Sequence, residues 1–161
     1  MIEPIEPIRL TFDVPCPPHL AFEVWTSRIG GWWPADHTVS GRPDASVVLE
    51  PRPGGRIYER TVEGIEYEWG EVTVWEPPGR LVYLWHLRRD RADATEVEIR
   101  FEPLGSRATR VAIEHRGWER LGAGGLDWRN RNLGGWETLL PHYRTAAAAA
   151  LAPAREPEGS T

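Results

Sequence analysis

His115 and Glu59 are the two side chains whose type and setting could handle a proton near neutral pH. His115 falls on the apolar side of a run in which Val111, Ile113 and His115 alternate with Arg110, Ala112 and Glu114. There an imidazole would offer a titratable donor or acceptor, the plain alternative being a core or rim histidine with its nitrogens satisfied. Glu59 shares a strand face with Ile57 if alternation holds from Gly55. A carboxylate on that face could anchor a ligand or, with its pKa raised by burial, act as a base. The alternative is a surface ion pair with a neighbouring arginine, and a bulge at Gly54-Gly55 would break the alternation.

Other chemistries find less support. His19, His37, His86, His115 and His142 show neither H-x-H nor H-x-x-x-H spacing, and one cysteine cannot build a thiolate site, so neither a metal nor a cofactor is expected. Cys16 precedes two prolines at a strand end, and there is no Gly-x-Ser-x-Gly elbow for a nucleophile. Gly122-Ala123-Gly124-Gly125 lacks the following Lys of a phosphate cradle and reads as a flexible loop.

The aromatic content points to binding. Nine of the 161 residues are Trp, well above ordinary usage. Trp32 and Trp33 follow Gly30-Gly31, and two adjacent bulky rings cannot both enter one core, so one is expected at a pocket mouth or in solvent. With Ile57, Tyr83, Trp85, Val97, Ile99, Val111, Ile113, Trp136 and Leu140 they are the candidate lining of an apolar pocket, with Glu59 and His115 as polar anchors. For each ring taken singly, plain core packing is the competing explanation.

The elements that must position these residues are legible from periodicity. Ile5 to Val14 alternates as a first strand, and Cys16-Pro17-Pro18 ends it and opens a short helix through Leu20, Ala21, Val24 and Trp25. A second turn or two covers Thr26 to Ile29 before Gly30-Gly31 breaks it. Strands then follow at Val47 to Glu50, Arg56 to Val62, Ile65 to Trp75, Arg80 to Arg88, Thr95 to Glu102 and about Thr109 to His115, separated by Pro- and Gly-rich turns. Such short connections make them antiparallel. One apolar face per strand needs a cover, and Asp127 to Leu151 supplies it: Leu133, Trp136, Leu140, Tyr143 and Ala147 form a helical stripe, with a kink expected at Pro141.

The fold class is therefore α+β, a curved antiparallel sheet of six to seven strands around one long C-terminal helix, with two short helices after the first strand. Residues 1–151 are expected to form a single domain and 152–161, rich in Pro, Gly and charge, a disordered tail. A net charge of -5 with scattered arginines argues against nucleic acid, and no apolar run reaches the roughly 20 residues of a membrane helix. The single Cys16 and the absence of a signal-like start suggest the cytoplasm.

The order of several short motifs is similar to a known group. They are Trp32-Trp33-Pro34, Pro53-Gly54-Gly55-Arg56 with Tyr58-Glu59, Gly70-Glu71-Val72 to Glu76-Pro77-Pro78, and Arg80-Leu81-Val82 with Trp85. Further on come Thr109-Arg110-Val111, Glu114 to Leu121, and Gly135-Trp136 with Leu139-Leu140. From Ile8 to Ala150 the chain resembles the bacterial proteins related to the activator of Hsp90 ATPase, within the START and Bet v 1-like (SRPBCC) superfamily and its helix-grip fold. The self-sacrifice resistance protein of this group against the enediyne calicheamicin looks especially similar, sharing the Trp-Trp-Pro, Gly-Gly-Arg, Glu-His and Gly-Trp elements.

The resemblance implies the fold, and a small hydrophobic or aromatic ligand as partner, for a monomer or a homodimer. Natural-product sequestration or a stress response is the leading expectation, without catalysis. A cyclase or hydrolase acting on a polyketide with Glu59 or His115 as base is the second. A protein-interaction domain using exposed Trp118 or Trp128 is the third. A co-chaperone role is not expected, because the chain begins directly with the first strand of the helix-grip unit.

Overall fold

The structure, a computed structural model, describes residues 4–87 and 91–151. The expected tail at 152–161 and the end of the run Arg80 to Arg88 fall outside the described residues.

Strand β1 (Ile8–Val14) ends at the prolines, and Pro18 stands first in helix α1 (Pro18–Trp25), where its missing N–H costs no hydrogen bond. Ala21, Phe22, Val24 and Trp25 turn inward from this helix. Two short 3₁₀ turns follow, Ile29–Gly31 and Ala35–His37, so Gly30-Gly31 lies inside a tight turn and does not simply end one. The remaining strands are β2 (Ser46–Leu49), β3 (Arg56–Arg60), β4 (Glu66–Glu76), β5 (Arg80–Trp85), β6 (Thr95–Pro103) and β7 (Thr109–Arg116). Gly122-Ala123-Gly124 closes a 3₁₀ segment, Trp118–Gly124, in place of the expected flexible loop, and helix α2 starts two residues early, running Gly125–Leu151.

The seven strands form one antiparallel sheet in the order β1-β7-β6-β5-β4-β3-β2, a meander to which the first strand adds beside the last. Register shifts between Ile57 and Tyr58 and between Val72 and Val74 mark bulges, which bend a sheet and increase its twist. At Gly70 the strands β4 and β5 approach so closely that a Cβ would lie 1.9 Å from the Leu84 carbonyl oxygen. Only glycine fits this crossing.

The concave face buries Ile57, Val72, Leu81, Val97, Ile99, Phe101, Val111 and Ile113. Against it lie Trp136, Leu140, Tyr143 and Ala147, so the stripe expected on α2 is the stripe that packs. α2 continues as one helix through Pro141. The convex face carries ion pairs instead: Glu98 accepts from Arg80 Nε at 2.8 Å and from Arg116 Nη1 at 2.8 Å.

One end of the space between sheet and α2 is plugged with rings. Trp25 packs against Tyr143 at 4.7 Å and Trp32 at 5.3 Å between centroids, and stacks on Trp136 at 6.0 Å. The Tyr143 hydroxyl donates to the Ala21 carbonyl at 2.8 Å, tying α2 to α1. The other end stays open.

Candidate functional site

The open end is a cleft in two compartments. The inner recess, about 130 Å³, is walled by Trp33, Tyr83, Trp85, His115, Trp136 and Leu139. The outer compartment, about 380 Å³, is bordered by the segment Asp36 to Val39, by His86 and Asp93, and by Trp118 and Trp128. His37, Trp85, Leu87 and Asn132 belong to both walls, so the compartments adjoin. Their size suits a small organic molecule.

Five of the thirteen residues expected at the site border this cleft: Trp33, Tyr83, Trp85, His115 and Trp136. Ile57, Val97, Ile99, Val111, Ile113 and Leu140 are core instead, all at most 8% exposed, because the plugged end of the interior consumes their side of the sheet. Trp32 is core as well, its indole donating to the Val24 carbonyl at 2.7 Å, while the half-buried Trp33 reaches the recess and donates to the His37 carbonyl at 3.1 Å.

Glu59 faces inward and is fully buried, so it is no surface ion pair. Its carboxylate accepts from the Val39 N–H at 2.5 Å, the Ser40 N–H at 2.9 Å and Trp69 Nε1–H at 3.0 Å. Burial alone would raise its pKa, but donation from Ser40, Val39 and Trp69 outweighs that and holds it below the usual carboxylate value. A carboxylate so engaged is not a base of raised pKa. It is the clamp that fixes one wall of the cleft, since Thr38 and Val39 border the outer compartment.

His115 reaches the recess but is locked. Trp136 Nε1–H donates to His115 Nδ1 at 3.0 Å, which leaves the proton on Nε2, 2.7 Å from Thr95 Oγ1. The Thr95 hydroxyl lies 3.2 Å from the Trp85 carbonyl and donates onward to it. Burial lowers the His115 pKa to about 3, so the ring is neutral at physiological pH. Protonating Nδ1 would set two donors against each other.

Several wall residues carried no sequence signal. His37 sits 3.0 Å from Asp36, whose carboxyl it holds below the ordinary range, and 2.8 Å from Thr138 Oγ1 on α2. His86 has a buried Nδ1 with no partner among the described residues. Leu87 adopts φ 49°, a left-handed conformation unusual for a side chain of this kind. Asn132 donates to its own helix at the Trp128 carbonyl, 2.9 Å away. All but Asn132 lie in non-periodic connections, and Asn132 sits off the apolar stripe of its helix. Trp118 is 1% exposed and donates to the His115 carbonyl, which removes it from any exposed patch, whereas Trp128 is 37% exposed. Among the described residues no group of His, Cys, Asp and Glu is placed to hold a metal, and no helix is long and apolar enough to cross a membrane.

This architecture has known counterparts. An anthrahydroquino-γ-pyrone synthase, Txn09, is 37% identical, with 79% of this chain and 86% of Txn09 covered and a TM-score of 0.58. The self-sacrificing resistance protein CalC from Micromonospora echinospora is 27% identical over 89% of this chain and 95% of its own, with a TM-score of 0.68. A Rhodobacter sphaeroides protein, 24% identical over 97% of this chain and 99% of its own, shares the fold at a TM-score of 0.62. No curated protein matches the chain. Residues 15–140, most of the described chain, match the family described as Activator of Hsp90 ATPase homolog 1-like protein, and with the helix-grip architecture this places the chain in that family of the SRPBCC superfamily.

Proposed function

We propose that the protein binds a small, flat aromatic molecule in the cleft between β5 and α2. The observation that carries this reading is a recess walled by Trp33, Tyr83, Trp85 and Trp136 and left open by Gly135, where a Cβ would meet nothing within 4 Å. Glycine costs a helix interior up to about 1 kcal/mol relative to alanine, so its place here favours space over stability. The likeness to Txn09, an anthrahydroquino-γ-pyrone synthase, supports an aromatic natural product as the ligand class.

Thermal unfolding with 1,8-dihydroxyanthraquinone tests the reading. At a ligand concentration of 100 Kd a site stabilises the fold by about 2.7 kcal/mol, a rise of roughly 5–10 °C for a chain of this size. No shift from this or any other tricyclic aromatic up to its solubility limit would sink it.

A ring-closing reaction is the second reading, favoured by the 37% identity to a synthase. Glu59 and His115 are both engaged, and so are both ring nitrogens of His37, so His86, whose buried Nδ1 has no partner among the described residues, is the histidine on the wall that would move a proton. Incubation with a phenol bearing an ortho 1,3-diketone should then yield the cyclised product and one water, and product formed equally by His86→Ala would exclude this role for His86.

A further inference from the structure

The inner recess has an uneven inventory of hydrogen-bonding groups. The Trp33 and Trp136 indole N–H groups are engaged with the His37 carbonyl and with His115 Nδ1, and His115 Nε2 with Thr95. Asn132 uses its amide N–H on the Trp128 carbonyl. Besides the second amide N–H of half-buried Asn132, two donors on the wall have no protein acceptor among the described residues: the Tyr83 hydroxyl and the Trp85 indole N–H. They stand two residues apart on one face of β5, ring centroids 5.9 Å apart. Trp85 also borders the outer compartment, which is open to solvent, whereas Tyr83 is 3% exposed and belongs to the inner recess alone.

Tyr83 has a direction as well as a place. On the core side the Tyr83 hydroxyl meets the Trp25 indole N–H, itself a buried donor with no hydrogen-bond partner among the described residues, so nothing there accepts the phenol proton. The phenol proton is thus left for an acceptor on the recess side, where Tyr83 borders the cleft. Burial pushes the phenol pKa up, so the group stays a donor at every pH the fold tolerates. A buried donor without an acceptor is costly, and a group placed this way rejects a ligand that leaves it unpaired.

We infer that Tyr83 is a specificity-determining residue that donates a hydrogen bond to a carbonyl oxygen at the inner end of the bound aromatic, so that the cleft selects ketone- or quinone-bearing rings over hydrocarbon rings of the same shape. The inference rests on the cleft being a ligand site. Planar 9-fluorenone and fluorene differ only in the carbonyl and serve as the probes, with affinities measured on the wild type and on Tyr83→Phe.

The wild type should bind fluorenone about tenfold more tightly than fluorene, and Tyr83→Phe should bind the two about equally, with its affinity for fluorene unchanged or improved. The fluorenone carbonyl stretch should move to lower wavenumber on binding to the wild type and not to the variant. In the ligand-free state Tyr83→Phe should melt no lower than the wild type, because the lost hydroxyl proton had no acceptor; a clear fall would show a structural hydroxyl and overturn the inference. Equal wild-type affinities, or a preference that survives in Tyr83→Phe, would overturn it while leaving the ligand site standing. Failure of both probes to bind at all would remove the site and the inference together.

Discussion

A carboxylate out of reach of water stays ionised only where donors replace the water, and Glu59 has three of them. Glutamine at this position would turn an amide N–H toward one of those donors, so Glu59→Gln should lose about 2–3 kcal/mol in chemical denaturation at pH 7. Because the folded pKa lies below the unfolded one, this stabilisation is present above the ordinary carboxylate range and is lost as pH falls through the folded value. The gap between wild type and Glu59→Gln should therefore close in acid; a gap constant down to pH 3 would contradict the clamp. His115 has its folded pKa lowered to about 3. Between that value and the ordinary 6.5 the unfolded chain binds the extra proton, so stability falls with acid at up to about 1.4 kcal/mol per pH unit. His115→Asn should remove this component between pH 6.5 and 5, where carboxylates contribute little, and an unchanged slope in titrated unfolding curves would refute it. Alternation grouped Glu59 with Ile57 and His115 with Val111 and Ile113, and all five side chains are buried. The roles of Glu59 and His115 could not be read that way, because they depend on Val39, Ser40, Trp69, Trp136 and Thr95, partners brought together by loops and pairings that no local pattern encodes.

The strands and α2 were legible because each repeats a period, and the core contacts of Trp136, Leu140, Tyr143 and Ala147 follow from steps of three and four. What periodicity does not convey is where a strand stops. β5 was expected to continue to Arg88 but ends at Trp85, because the His86 and Leu87 N–H groups both turn onto the Trp69 carbonyl, at 2.8 and 2.9 Å, and Leu87 goes left-handed. That early exit carries His86 and Leu87 out of the sheet and onto the wall of the cleft. It depends on β4 and β5 touching at Gly70, next to the accepting Trp69. Gly70→Ala must push the Leu84 carbonyl aside and should cost about 1–3 kcal/mol by differential scanning calorimetry, the usual penalty for overpacking. A variant as stable as the wild type would mean that the close approach does not organise this edge.

At the scale of the whole molecule the excess of tryptophan divides between two tasks. Trp25 and Trp32 fill the space where α1 and α2 meet the sheet, while Trp33, Trp85, Trp118 and Trp128 surround the space left over. Composition announced an aromatic-lined interior but could not apportion the rings, since plugging and lining call for the same residue types and differ only in what stands opposite. Opposite the recess stands Gly135, next in sequence to the exposed Gly134, and a Cβ at either would meet nothing within 4 Å. The two glycines thus separate stability from function. Gly134→Ala should add up to about 1 kcal/mol of helix propensity, a melting point higher by roughly 2–4 °C, with binding intact. Gly135→Leu should gain about as much stability, and more where its apolar side chain finds Trp33 and Trp85, yet lose affinity for the tricyclic ligand by at least about tenfold, because the side chain occupies the ligand's volume. Calorimetric melting and titration on the pair decide it: a more stable Gly135→Leu protein that still binds would place the ligand elsewhere, and a less stable one would show that the recess is not the empty space on which the binding reading depends.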